Sequence, residues 1–142
     1  MTFTGRTTVP DHVPMSPLRQ TSRMLERRVA VALLGGVTTF QLALVAGAPW
    51  GAAALGGQTP GVLPPSLRVV SAVSVLVYGG LAALVVTDRL GRTARTRLLT
   101  GASVLIGLGA VANLVSQSPV ERLWAPVAAM LAVMLWRIRG SG

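Results

Sequence analysis

"VAVALLGGVTTFQLALVAGA", residues 29–48, carries no charged side chain over its whole length, and its reading decides the fold. At about 1.5 Å per residue a helix of this length reaches roughly 30 Å, the thickness of a bilayer's hydrocarbon core. Further uncharged runs cover residues 69–87, 98–115 and 123–136. The last is short, but "SPVERLWAP", residues 118–126, supplies a start signal ahead of it. Ser118 stands as N-cap, Pro119 at the first helical position and Glu121 at the third, a capping box, so the fourth helix is predicted to begin at 119. Trp124 and Trp136 then fall near its two ends, where indoles favour the headgroup level, and Pro126 in its second turn is expected to bend it. The predicted fold is therefore all-α, an integral membrane bundle of four transmembrane helices at about 29–48, 67–87, 97–115 and 119–138. They form one domain, 23–142.

Composition agrees. Of the 142 residues 51% are hydrophobic and only 12% charged, well under the quarter or so usual for soluble domains. Mean hydropathy is +0.62. No cysteine is present and only one histidine, His12, which excludes disulfides, thiolate chemistry and His-rich metal sites. No cofactor is implied. Residues 1–22, with Pro10, Pro14 and Pro17 among Ser and Thr, read as a disordered tail. The long region before residue 29 and the length of the apolar run favour a retained first helix over a cleaved signal peptide.

The net charge of +9 would suggest nucleic acid, but the position of the charges explains it otherwise. All 13 basic residues are arginines. Eleven fall before the first run, between the second and third, or after the fourth; only Arg68 and Arg122 fall in the other two connections. Arginine-rich short loops stay in the cytoplasm, which predicts cytoplasmic N- and C-termini in a multi-pass protein of the bacterial plasma membrane. The same patches would attract anionic lipid headgroups. Membrane lipids are thus expected partners and nucleic acid is not; a protein partner or a second copy of the chain stays open.

The two connections on the far side are unusual. "GAPWGAAALGGQTPGVLPPSLR", residues 47–68, holds five glycines and four prolines but little that would anchor it in water. Residues 50–63 are expected to pack onto the mouth of the bundle, re-entrant or interfacial, shielding Ala53 and Leu55. Facing it, residues 113–126 bring Asn113, Ser116, Ser118, Glu121, Arg122 and Trp124 into the densest polar cluster near the membrane. With Trp50 and Arg68 these form a candidate ligand site: Glu121 would pair with Arg68 or Arg122, and Trp50 and Trp124 would wall it. The competing structural reading gives Glu121 to the helix cap alone. Thr38, Thr39 and Gln41 in the first helix, and Ser71, Ser74 and Tyr78 along one face of the second, are expected to bond between helices. Small residues four apart, Ala43 with Gly47 and Ser103 with Gly107, would let backbones approach.

The pattern GAPWG, GG, LP and LR (Gly47, Pro49, Trp50, Gly51, Gly56, Gly57, Leu63, Pro64, Leu67, Arg68), followed by N-x-x-S-x-S-x-x-E-R-x-x-W-x-P (Asn113 to Pro126), resembles a family of small bacterial four-helix integral membrane proteins. That resemblance implies an architecture and carries no activity. For function three classes follow. A non-enzymatic interaction or accessory protein is favoured, because no ionisable group lies mid-span and no phosphate-binding, zinc or nucleophile-elbow motif is present. A carrier or binder of a small molecule or lipid through the polar cluster comes second. A membrane-embedded enzyme comes last, with no catalytic residue to name.

Overall fold

The computed structural model describes residues 17–87 and 89–140. Four stretches are helices long and apolar enough to cross a membrane, the pattern of a multi-pass membrane protein. Helix α1 spans Pro17–Ala46, α2 Pro65–Val86 and α3 Arg92–Val115. The fourth stretch, Pro119–Ile138, comprises α4, Pro119–Arg122, and α5, Trp124–Ile138.

Two boundaries differ from expectation for the same reason. Helix α1 starts at Pro17, inside the segment read as a disordered tail, and α3 at Arg92, five residues before the predicted 97. The polar sequences "PLRQTSRMLERR" and "RTARTR" are rich in straight-chain residues that keep their rotamer freedom in a helix. They let helices continue past the apolar zone. The rest of the tail, residues 1–16, and Asp88, which would pair with Arg92 along a helix, lie outside the described residues. In the fourth span the regular pattern lapses at Leu123, whose N–H reaches Val120 in a tighter turn. Pro126 explains it: without an N–H it cannot bond the carbonyl of Arg122, four residues back.

Helix α1 ends in a Schellman motif. Gly47, at φ +97°, closes it, with Gly47 N–H on the Leu44 carbonyl (3.1 Å) and Ala48 N–H on that of Ala43 (2.9 Å). A left-handed residue here is costly for anything but glycine.

The helices pack as two antiparallel hairpins, α1 with α2 and α3 with α5, joined where α1 meets α5. Between α2 and α3, consecutive in the chain, there is next to no contact. A cleft of about 920 Å³ separates them, walled by Val77, Leu81, Leu98 and Leu105 among others. Small residues set the α3–α5 approach: Ser103 donates to the Ala132 carbonyl (2.7 Å), and a Cβ built on Gly107 would meet the Ala132 methyl at 3.8 Å. Such interhelical bonds are worth about 0.6 kcal/mol in membranes.

The other polar residues in the spans correct the sequence expectation. Thr38, Thr39 and Ser74 turn back to carbonyls of their own helix, at Leu34, Gly35 and Val70. Short hydroxyl side chains reach the previous turn more easily than a neighbouring helix. Ser71 is fully buried with its Oγ unpartnered.

Two apolar clusters fill the bundle. The larger joins Leu34, Val85, Leu99, Leu131, Leu135 and Ile138. The smaller, Leu44 with Ala54 and Leu63, backed by Phe40 and Leu67, lies under the Gly47–Pro64 connection.

Candidate functional site

The site begins with the loop after α1. A short 3-10 turn, Gly51–Ala53, follows Trp50. Gly51 N–H bonds the Gly61 carbonyl (2.9 Å), tying the start of the loop to its end. A Cβ on Gly51 would lie 2.2 Å from the Thr59 carbonyl oxygen, so the crossing admits glycine alone. Leu55, Gly56 and Gly57 then take left-handed conformations in succession, with φ of 54°, 87° and 68°. This reverses the chain and aims the Gly56 N–H at α4.

Glu121 receives it. The Gly56 N–H donates to Glu121 Oε1 at 2.7 Å, the Ser116 hydroxyl donates to Oε2, and Glu121 itself is buried. Ser118 works in both directions: its hydroxyl donates to the Ala52 carbonyl (2.8 Å) and accepts from the Glu121 N–H (3.3 Å). The N-cap predicted at Ser118 is present, but the reciprocal half of the capping box is not. Ser118 N–H bonds the Ser116 hydroxyl (3.2 Å), and the Glu121 carboxylate goes to the loop. A buried carboxylate satisfied by a backbone N–H and a hydroxyl has more to lose from removal of either donor than one at a solvated cap.

The expected ion pairs of Glu121 do not form. Arg68, in the first turn of α2, donates through both Nε and Nη2 to the Val45 carbonyl at the end of α1, and Arg122 through Nε to the Ser116 carbonyl (2.7 Å). Carbonyls at helix ends lack intrahelical donors, and guanidinium groups supply them. Both guanidinium groups are thus engaged by backbone carbonyls, and neither residue lines the cavity under the loop. The shielding expected of residues 53 and 55 also needs correction: Ala53 is half-buried, but Leu55 is 41% exposed, and the residues turned inward are Gly51, Ala54 and Leu63.

Beneath the loop lies a cavity of about 150 Å³, roofed by Ala53, Ala54 and Leu55. Of the sequence candidates, Asn113, Glu121 and Trp124 line it, joined by Phe40, Gln41 and Tyr78. Gln41 presents a buried Oε1 with no hydrogen-bond partner. Trp50, half exposed, stands outside but is coupled to the wall: its ring stacks on Phe40 (6.1 Å between centroids, 7° between planes), and Phe40 tilts onto Trp124 at 4.6 Å. Ser116 does not line the cavity; its hydroxyl donates to Glu121 and accepts from the Ser118 N–H. Phe40 gave no sequence signal among the apolar residues of α1. Gln41 and Tyr78 were legible as polar residues in apolar helices, though not as neighbours of one cavity.

Tyr78, Ile106, Asn113 and Ala128 line both this cavity and the α2/α3 cleft. The polar chamber and the apolar cleft therefore share a wall. Among the described residues no group of three or more histidine or carboxylate side chains is placed to hold a metal ion. Compared with known proteins, the chain matches no protein-family model, no curated protein and no solved structure.

Proposed function

We propose that this is a non-enzymatic membrane protein that binds an amphipathic small molecule, its polar end in the cavity under the loop and its apolar part in the cleft between α2 and α3. The observation that carries the reading is the wall the two spaces share. A head group reaching Gln41, Tyr78 and Asn113 would leave its chain among the aliphatic side chains of α2 and α3. The volumes suit this division. A cavity near 150 Å³ is large enough for a benzene-sized group, and the cleft is about six times larger. The buried, unpartnered Gln41 Oε1 is a cost that a ligand donor would relieve.

Arginine placement supports orienting the protein in the bacterial plasma membrane with both termini in the cytoplasm and the loop outside. The ligand would then enter sideways from the bilayer near its outer leaflet. Binding, not coupled transport, is proposed: Gln41 and Tyr78 are polar but uncharged at neutral pH, and Glu121 lies in the first turn of the fourth span.

The test is retention of a ligand. Protein extracted into lipid nanodiscs should carry a stoichiometric amphiphile by native mass spectrometry. Gly101→Leu and Ala102→Leu, which narrow the cleft, should lose it while the fold persists by circular dichroism. Absence of any bound amphiphile, together with no binding of added alkyl-chain probes, overturns the reading. A co-purifying protein helix in its place would favour the interaction or accessory class, with the same cleft as its seat.

A further inference from the structure

The chemistry of the cavity wall restricts what the polar end of a ligand can be, and the restriction rests on the binding role just proposed. Four polar side chains line the cavity: Gln41, Tyr78, Asn113 and Glu121. No arginine does, in a chain with 13 of them. The two nearest in sequence are directed elsewhere, Arg68 to the end of α1 and Arg122 to the Ser116 carbonyl. The only formal charge facing the space is the Glu121 carboxylate. Its two oxygens accept one hydrogen bond each, while a carboxylate offers about four lone-pair directions. Acceptor capacity therefore remains, beside the unpartnered Gln41 Oε1. The remaining walls combine three aromatic side chains, Phe40 and Trp124 in tilted contact and Tyr78, with aliphatic ones such as Val37, Ile106 and Leu131.

A carboxylate, an unpartnered amide oxygen and three aromatic side chains around one small chamber are the groups that recognise an ammonium ion. The ring faces attract a cation electrostatically, more so when it is desolvated, and the carboxylate supplies the counter-charge without which a buried cation would be expelled. A phosphate or carboxylate head group would face Glu121 with no cation to offset the repulsion. A neutral hydroxyl has one proton to donate, so it would satisfy Gln41 or Glu121 but not both, and it would gain neither the counter-charge nor the cation–ring attraction. We propose that the ligand is a lipophilic amine, an alkyl chain or apolar ring system ending in a small ammonium group that binds between Glu121, Gln41 and Trp124.

Trp124 is the reporter. In a Trp50→Phe, Trp136→Phe background its fluorescence follows titration with dodecylammonium, dodecanol and dodecanoate in zwitterionic nanodiscs, each corrected for partition into empty discs. Dodecylammonium is expected to bind about tenfold or more tighter than dodecanol, and dodecanoate to show no saturable binding. Glu121→Gln should remove most of that preference. Because Glu121 also holds Gly56, Gln41→Leu, which removes an amide oxygen that has no hydrogen-bond partner to lose, provides the second arm and should weaken ammonium binding severalfold with the Glu121 bond to the loop intact. Equal binding of the alcohol and the ammonium, or tighter binding of dodecanoate, overturns the cationic assignment while leaving the amphiphile site standing. No saturable binding of any of the three brings down both.

Discussion

The two ends of the bundle are held by different means. At the loop end the chain crosses itself at Gly51 and Gly61, turns through three left-handed residues, and is fixed by one buried carboxylate and one serine at the start of α4. At the other end long side chains reach across the gaps between helices. Arg27 of α1 donates to the Val85 carbonyl at the end of α2 (2.6 Å), Thr96 of α3 to that of Arg139 (3.0 Å), and Arg137 pairs with Glu26 (2.9 Å). Arg139 folds back over the Trp136 ring, 3.2 Å from its centroid. One device recurs at both: Arg68 caps α1 as Arg27 caps α2, so the first hairpin is clasped by an arginine at each end. The loop end depends on shape, which a single methyl group can spoil. The arginine end depends on many partly solvated contacts, each replaceable.

The largest expected effect follows from that dependence on shape. Gly51→Ala places a methyl 2.2 Å from a backbone oxygen, and Gly57→Ala places one 2.3 Å from Ser118 Cβ at a φ that alanine resists. Each should cost about 3 kcal/mol or more, or unseat the loop altogether. Hydrogen exchange should rise sharply across residues 51–63 and stay unchanged in residues 92–100. Gly35→Ala and Gly79→Ala, in open helical positions with nothing within 4 Å, are the controls, and should be neutral or stabilise by up to about 1 kcal/mol. If Gly57→Ala behaves like those controls, the loop does not depend on its shape.

That prediction also marks where the sequence was legible. Four spans could be read because membrane crossing is a property of length and missing charge, visible residue by residue along "VAVALLGGVTTFQLALVAGA". Glycine and proline density betrayed a folded loop, and Ser118 betrayed its cap. The partners of Glu121, Arg68 and Arg122 were not legible. A charged side chain in sequence suggests an opposite charge, whereas here Glu121 takes a loop N–H and a serine hydroxyl, and each arginine takes a carbonyl at a helix end. The cavity was hidden for the same reason: Gln41, Tyr78 and Asn113 are far apart in the chain, and only the open α2/α3 arrangement brings them to one space.

A middle-sized effect separates the two arms of the loop latch. Glu121→Ala removes the acceptor of the Gly56 N–H and of the Ser116 hydroxyl and should cost about 2 kcal/mol, with faster exchange at Gly56. Ser118→Ala loses both its cap and its bond to Ala52 and should cost about 1–2 kcal/mol. Arg27→Ala and Arg68→Ala should each cost about 1–2 kcal/mol. Near-equal values for the two arginines would show that the clasp works alike at both ends. A much larger value at Arg68 would mean that the loop is built upon it.

The smallest effect sharpens the comparison most. Glu26 is largely covered, with its side chain 14% exposed, but its partner Arg137 is 58% exposed, so water solvates one side of the pair. Half-solvated pairs of this kind contribute about 0–1 kcal/mol, and near 1 M salt the screening length falls to about 3 Å. Glu26→Gln should therefore lower thermal stability only slightly at low salt and by nothing measurable at high salt. The bond from Gly56 to Glu121 is sheltered by the loop it holds, and the loss caused by Glu121→Ala should persist at both salt concentrations. Only one of the two glutamates would then respond to the change of buffer. Equal salt sensitivity of the two variants would mean that Glu121 is reached by solvent and that the loop does not seal the cavity beneath it.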